Sequence, residues 1–236
     1  MVVVASYNIR KAIGSDRRRR PDRILEVLCE IDADIVALQE ADRRFGSRAS
    51  ALPVHMIAEH SPYVPVALDV RQGSLGWHGN ALLVRRSATV LAHSTIVLPA
   101  LEPRGAVMAD IRVGGADIRV VGMHLDLSGL WRRRQAHAII AGTAAQERRL
   151  PTVMMGDLNE WRVAGGCLSD FAQHFRFAAT GPSFHARRPV ARLDRIIVSE
   201  DVVVTDAGVH RTANARTASD HLPIWARLDL PPAAVA

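Results

Sequence analysis

The sequence predicts an α/β sandwich: two mixed β-sheets packed face to face and covered by helices, four layers in all. Two observations lead there. Helical patterns flank both halves of the chain, and five short strand patterns follow one another in its middle with only turns between them. A doubly wound βαβ repeat would alternate strand and helix throughout, so the consecutive strands argue against it.

Taken in order, residues 2–7 form an apolar strand. Pro21–Ile31 is helical, with Ile24, Leu25 and Leu28 on one face and Pro21 in the first turn. Ile35–Gln39 is a second buried strand, and a helix is expected over 49–60. The middle strands are expected at 63–68, 80–85, 89–97, 106–113 and 118–124, separated by turns such as Val113-Gly114-Gly115-Ala116-Asp117. A helix over 131–148, a strand over 152–155, and strands over 195–199, 202–209 and 222–228 complete the pattern.

The 236 residues are enough for one domain with a large core, expected over 1–230, with the Pro/Ala stretch 231–236 as a frayed tail. A hydrophobic fraction of 48% and a charged fraction of 23% suit a soluble globular protein. Cys29 and Cys167 form no CxxC or zinc spacing and read as reduced thiols of a cytoplasmic chain, with one disulfide as the alternative. The first residues lack the basic region and long apolar run of a signal peptide, and no transmembrane segment is expected. The net charge of +6 invites a nucleic-acid reading, but Lys11 is the single lysine among 30 basic residues. An arginine excess of that kind follows from GC-rich coding whatever the ligand. Arg17 to Arg20 read as a solvated loop or, functionally, as a rim that attracts phosphate. Arg132 to Arg134 read as the exposed first turn of a helix or as a source of a site-facing arginine.

The chemistry lies where polar residues interrupt strands. Asn8 ends the first strand, Glu40 the second, His124 the strand over 118–124, and Asp157 and Asn159 the strand over 152–155. Asp194 precedes the strand over 195–199, and Asp220-His221 precedes the last strand. In a mixed sheet the start of one strand lies beside the finish of its neighbour, so these tips can meet at one edge. If extension continues, period-2 geometry puts Asp157 and Asn159 on the same side. Carboxylates and amides without thiolates are hard ligands, suited to Mg²⁺ or Mn²⁺ rather than Zn²⁺. Four acids exceed the needs of one such ion, which leaves some to orient histidine or activate water, as phosphoryl hydrolysis demands. Each residue alone has a duller reading as a turn former, a solvated acid or a core histidine.

The stretches Ser6-Tyr7-Asn8-Ile9, Leu38-Gln39-Glu40, Met123-His124-Leu125, Gly156-Asp157-Leu158-Asn159, Leu193-Asp194-Arg195-Ile196 and Ser219-Asp220-His221 occur in an order that resembles the endonuclease/exonuclease/phosphatase (DNase I-like) superfamily, over residues 2–228. The resemblance implies a four-layer sandwich with its site at one sheet edge. It implies Glu40 as the principal metal ligand, with Asn8 beside it and Asp220 near a second or shifted metal position. Asp157, held with Asn159, would orient or deprotonate the attacking water. His221, paired with Asp194, would stabilise phosphoryl oxygens or exchange a proton, and His124 would donate to the non-bridging oxygens. Asn80, Arg104 and Trp161 are lesser candidates for substrate contact. Arg10 stands where exonuclease III-like enzymes carry an acid, and His124 where they carry asparagine, both pointing away from abasic-site repair.

The expected activity is a Mg²⁺- or Mn²⁺-dependent phosphoesterase, foremost a phosphodiesterase acting by in-line water attack. The alternatives are an exonuclease III-like DNA or RNA nuclease and a catalytically retired phosphate- or lipid-binding module. The partner is a phosphoester substrate (nucleic acid, phospholipid-derived or small molecule), and no stable protein partner is implied.

Overall fold

The computed structural model describes residues 1–42, 49–68, 73–99 and 101–231, so the expected tail lies almost wholly outside them. Two six-stranded mixed sheets stack with helices on their outer faces. The first contains β1 (Val2–Asn8), β2 (Ile35–Gln39), β3 (Tyr63–Pro65), β4 (Ala81–Arg85), β11 (Val203–Val209) and β12 (Ile224–Asp229), in the order β11-β12-β1-β2-β4-β3. The second contains β5 (Thr89–Val97), β6 (Gly105–Val113), β7 (Ala116–His124), β8 (Thr152–Asp157), β9 (Arg176–Phe177) and β10 (Asp194–Val198), in the order β5-β6-β7-β8-β10-β9. Each sheet has one parallel pair at its centre, β1 with β2 and β7 with β8, and is otherwise antiparallel.

Strand alternation builds the layers. Val2, Val4, Ile35, Ala37, Val153, Met155, Ile196 and Val198 meet in the core between the sheets. The intervening residues face outward. Ala5, Tyr7, Val36 and Leu38 pack against α1 (Pro21–Ile31), α2 (Val54–His60) and α5 (Ala213–Ala218), while Val121, Met123, Met154 and Ile197 pack against α3 (Gly129–Ala144) and α4 (Cys167–Ala172). Both faces of the central strands are therefore buried, which is why they read as continuous apolar runs.

The expected helix over 49–60 is shorter, beginning at Val54. Ser50 makes a turn instead, its hydroxyl bonding both the amide and the carbonyl of Leu52, and the residue before a proline avoids helical geometry. The last strand starts at Ile224 rather than 222, because Pro223 has no N–H for the ladder. The strand from Tyr63 ends at Pro65, though the Val66 amide still reaches Leu82. The long helix runs over Gly129–Ala144, stopping where the residues before Leu150 cease to offer an apolar face. The six-residue helices α4 and α5 are too short to show a periodic pattern and were not expected. Cys29 is exposed, Cys167 is buried, and both are free thiols. Among the described residues no helix is long and apolar enough to cross a membrane.

Candidate active site

The inward-facing register of the central strands carries past the apolar core and ends in polar residues. In β1, Val2 and Val4 are followed on the same face by Ser6 and Asn8. In β7, Val120 and Gly122 are followed by His124, and in β8, Val153 and Met155 by Asp157. Pairing then fixes the neighbours: Asn8 lies beside Gln39, His124 beside Asp157, and Asp194, the first residue of β10, directly opposite Asp157. Gly156 makes the close approach of β7 and β8 possible, since a Cβ there would lie 1.8 Å from the Met123 carbonyl oxygen. The segment before β12 is drawn in by Ser219, whose hydroxyl donates to the Asn8 carbonyl at 2.7 Å and places Asp220 and His221 over the same edge. These residues line a cleft of about 300 Å³ between the sheet ends, with Lys11, Glu40, His78, Arg104 and Asn159 also in its walls.

Asp157, only 2% exposed, is the hub of the cleft. Its Oδ2 accepts from the Asn8 side-chain amide at 3.0 Å and lies 3.5 Å from His124 Nε2 and 3.7 Å from His221 Nε2. Its Oδ1 accepts from the Asn159 backbone N–H at 2.9 Å. Strand geometry does not continue to Asn159 as expected. That residue is left-handed, at φ 50°, and its side-chain amide donates to the Leu125 carbonyl at 2.9 Å. The result is a tight turn that returns the chain to its own aspartate, a conformation asparagine tolerates better than most residues.

On the far side of the hub, His221 Nδ1 lies 2.9 Å from Asp194 Oδ2, and Asp194 also accepts from the Ser183 hydroxyl. Burial by itself would depress the His221 pKa, but Asp194 and Asp157 outweigh it and raise the value to about 10. His221 is therefore an imidazolium with Nδ1–H fixed on Asp194 and Nε2–H turned toward Asp157. His124 behaves in the opposite way. Burial pushes its pKa down to about 3, aided by Arg104 and opposed by Asp157, so it stays neutral. The Arg104 guanidinium lies against the ring, with Nη1 2.9 Å from Nδ1 and 2.8 Å from Nε2, and reaches Glu102 at 3.3 Å. Two histidines on one carboxylate thus hold different charge states, set by burial at His124 and by a second carboxylate at His221.

Glu40 and Asp220 form the opposite, more open wall, with side chains 28% and 22% exposed. Glu40 pairs with Lys11, and Asp220 Oδ2 lies 3.3 Å from Arg10 Nε. Both cations come from the turn at Arg10–Ala12, where three successive residues are left-handed (φ 46°, 57° and 59°). Glu40 is itself left-handed at φ 53°, as is His78 at 49°. Backbone strain of this kind persists only where surrounding structure enforces it, and here it collects around the cleft. The donors fit a hard divalent cation: two half-open carboxylates, no thiolate in the lining, and the Asn8 amide oxygen beside them. Asp157, Asp194 and His221 also lie close enough to surround an ion. A protonated imidazole offers no lone pair, however, and Asp194 Oδ2 already accepts from Ser183 and faces His221 while Oδ1 is left without a partner, so we read the trio as a proton-handling group.

The structure brings together Asn8, Glu40, Arg104, His124, Asp157, Asn159, Asp194, Asp220 and His221, with Asp194 reaching the cleft through His221. Two of the sequence candidates lie outside it. Asn80 is wholly buried and ties the sheets together, its amide donating to the Gly105 carbonyl at 2.8 Å. Trp161 is 63% exposed and packs edge-on against Phe184, which in turn lies beside His221. Arg133 and Arg134 are exposed near the start of α3 as expected, but Arg132 is not. It is buried and pairs with Glu160 at 3.0 Å, a counter-ion demanded by a carboxylate that is only 3% exposed. Sequence reasoning missed Lys11, Asp42, His78 and Glu102 as lining residues. Only Lys11 left a signal, as the lone lysine of an arginine-rich chain.

The sequence profile of the Endonuclease/Exonuclease/phosphatase family matches residues 5–221. No curated protein matches the chain. Among solved structures, a functionally unknown conserved protein from Enterococcus faecalis aligns with a TM-score of 0.78 at 17% identity, covering 97% of this chain and all of that one. A mannosyl-6-phosphatase from Bacteroides thetaiotaomicron aligns with a TM-score of 0.76 at 20% identity, covering 98% of this chain and 100% of that one. TDP2 from D. rerio, complexed with a single-strand DNA product, aligns with a TM-score of 0.74 at 15% identity, covering 97% and 98%. At these identities the likeness is one of fold.

Proposed function

The chain belongs to the endonuclease/exonuclease/phosphatase family, and from that premise we propose that it is a divalent-metal-dependent phosphodiesterase that attacks phosphorus with water in line. The observation that carries the reading is the hub: one buried carboxylate, Asp157, held by Asn8 and Asn159 and flanked by a neutral and a protonated histidine.

Mg²⁺ or Mn²⁺, held by Glu40 and Asp220 with Asn8 beside them, would supply the Lewis acid that polarises a phosphoryl oxygen. The rest falls to the chain's own residues. Asp157 orients water and accepts its proton as the new bond to phosphorus forms. His221, charged and held by Asp194, places Nε2–H where negative charge grows on the phosphoryl group and can release that proton to the leaving oxygen. His124, kept neutral by burial and by Arg104, donates a hydrogen bond to a non-bridging oxygen.

The charge balance of the cleft favours a diester over a monoester. Lys11, Arg10 and Arg104 are matched by Glu40, Asp220 and Glu102, so beyond His221 and the metal the cleft offers little surplus cation for a dianion. The alignment with a phosphatase and with a DNA-complexed enzyme makes both ester types the natural assay pair. Bis(p-nitrophenyl) phosphate should turn over with Mg²⁺ or Mn²⁺, faster than p-nitrophenyl phosphate, and stop in EDTA. Metal-independent turnover, or undiminished activity in the Asp157→Ala/His221→Ala double variant, would refute the assignment.

A further inference from the structure

The described residues leave eleven large apolar side chains exposed, and their distribution is lopsided. Seven of them sit at the catalytic end of the second sheet. Leu127 and Leu130 follow β7, Trp161 and Val163 follow β8, Val190 precedes β10, and Val97 and Leu101 lie where β5 passes to β6. Strand direction makes this one edge: β7 and β8 are parallel, and β5 and β10 run so that the end of one and the start of the other lie beside His124 and Asp157. Val163 and Val190 are 86% and 73% exposed, far beyond what packing needs.

Two of these loops, 158–166 and 178–193, are basic, while Glu102 beside Leu101 is paired with Arg104. Arg162, Arg187, Arg188 and Arg192 are exposed, whereas the carboxylates on the segments 125–131 and 158–166, Asp126 and Glu160, are both buried, and 178–193 contains no acid. Beside them lies an apolar cavity of about 280 Å³ lined by Val163, Leu168, Phe177 and Ala178, with Arg192 and Arg195 in its wall. Six aliphatic side chains and one tryptophan, with unmatched guanidinium groups, around a cleft are the complement of an anionic lipid surface. Aliphatic tips enter the acyl boundary, and the arginines meet headgroup phosphates. Nucleic acid would use the charge and could stack one base on Trp161, but it would gain little from the valines and leucines that make up most of the patch. A second copy of the same face would be repelled by its own arginines.

We propose that this edge docks on an anionic phospholipid bilayer, so that the diester reaching Asp157 is a lipid headgroup. The docking surface stands on its own, while the substrate class rests on the phosphodiesterase reading above. Co-sedimentation with vesicles of phosphatidylcholine and phosphatidylglycerol in equal parts tests it. Both the wild-type protein and Asp157→Asn should bind these vesicles and leave pure phosphatidylcholine largely unbound. Val163→Asp/Val190→Asp and Arg162→Glu/Arg188→Glu should each lower binding by about tenfold or more, with turnover of bis(p-nitrophenyl) phosphate unchanged. Failure of the wild type to sediment would overturn the proposal. So would equal binding of all variants, or duplex DNA binding that is tighter than vesicle binding and indifferent to the valine changes. Vesicle binding without any diester turnover in the wild type would leave the surface in place and remove the lipid diester as substrate.

Discussion

The two sheets have the same plan and make different contributions. Each places a parallel pair at its centre, and each pair ends in two polar residues at the shared edge. The first sheet ends in Asn8 and Glu40, followed across β12 by Asp220, and its acids are half-open and countered by Lys11 and Arg10. The second ends in His124 and Asp157 with Asp194 opposite, and its acids are buried and bonded to neutral donors or histidine. Exposure thus separates the work. On the proposed reading, the carboxylates that hold a metal stay near solvent and those that fix a proton are sealed. His221 joins the halves, entering from the first sheet to bond Asp194 of the second.

Breaking the sealed half should cost most. Asp157→Asn keeps the shape but loses the proton acceptor, and kcat should fall by about 10²–10⁴-fold, with the Mg²⁺ midpoint nearly unmoved in a thermal-shift titration. Breaking the open half should show the reverse emphasis. Glu40→Gln should raise the Mg²⁺ or Mn²⁺ midpoint by about 10–100-fold, read by calorimetry as well as by rate. Equal effects of the two substitutions on metal affinity would remove the division between the sheets.

The bridge between the halves should be visible in metal-free protein as a pH effect. The His221 pKa is raised from 6.5 to about 10 on folding. Its contribution is full below about pH 6.5 and disappears as pH rises through 10. In EDTA, the wild type should therefore melt roughly 5 °C above His221→Asn at pH 6, and the gap should narrow at pH 10.5. A constant gap would show that the ring acts by packing alone. The smallest effect belongs to Lys11. Removing the ammonium that holds Glu40, with Lys11→Met, should tighten divalent binding by about two- to fivefold, measured by calorimetry; weaker binding would make Lys11 a support for the site instead of a competitor.

Much of this was legible in the sequence because strand tips are marked twice, by where an apolar run stops and by which polar residue stops it. Glu40, His124, Asp157 and Asp220 were found that way. Asn159 is legible as a polar residue beyond the strand, but its place depends on a left-handed turn and not on continued extension. Asn80 shows the limit of the method. A polar residue at a strand start can serve a neighbouring carbonyl as readily as a substrate, and only its burial against Gly105 tells which. Lys11 and His78 sit on left-handed loops with no periodicity to betray their direction. The burial of Arg132 depended on a partner 28 residues away.

The Ser219 bond to the Asn8 carbonyl joins residues 211 positions apart. A site that needs this bond cannot form until both ends of that span are in place. β12 must pair with β1 before Asp220 and His221 reach the other residues. Contacts of such long range form late and slowly. Removing the segment from Ser219 through β12 should therefore leave the second sheet intact while taking Asp220 and His221 from the cleft.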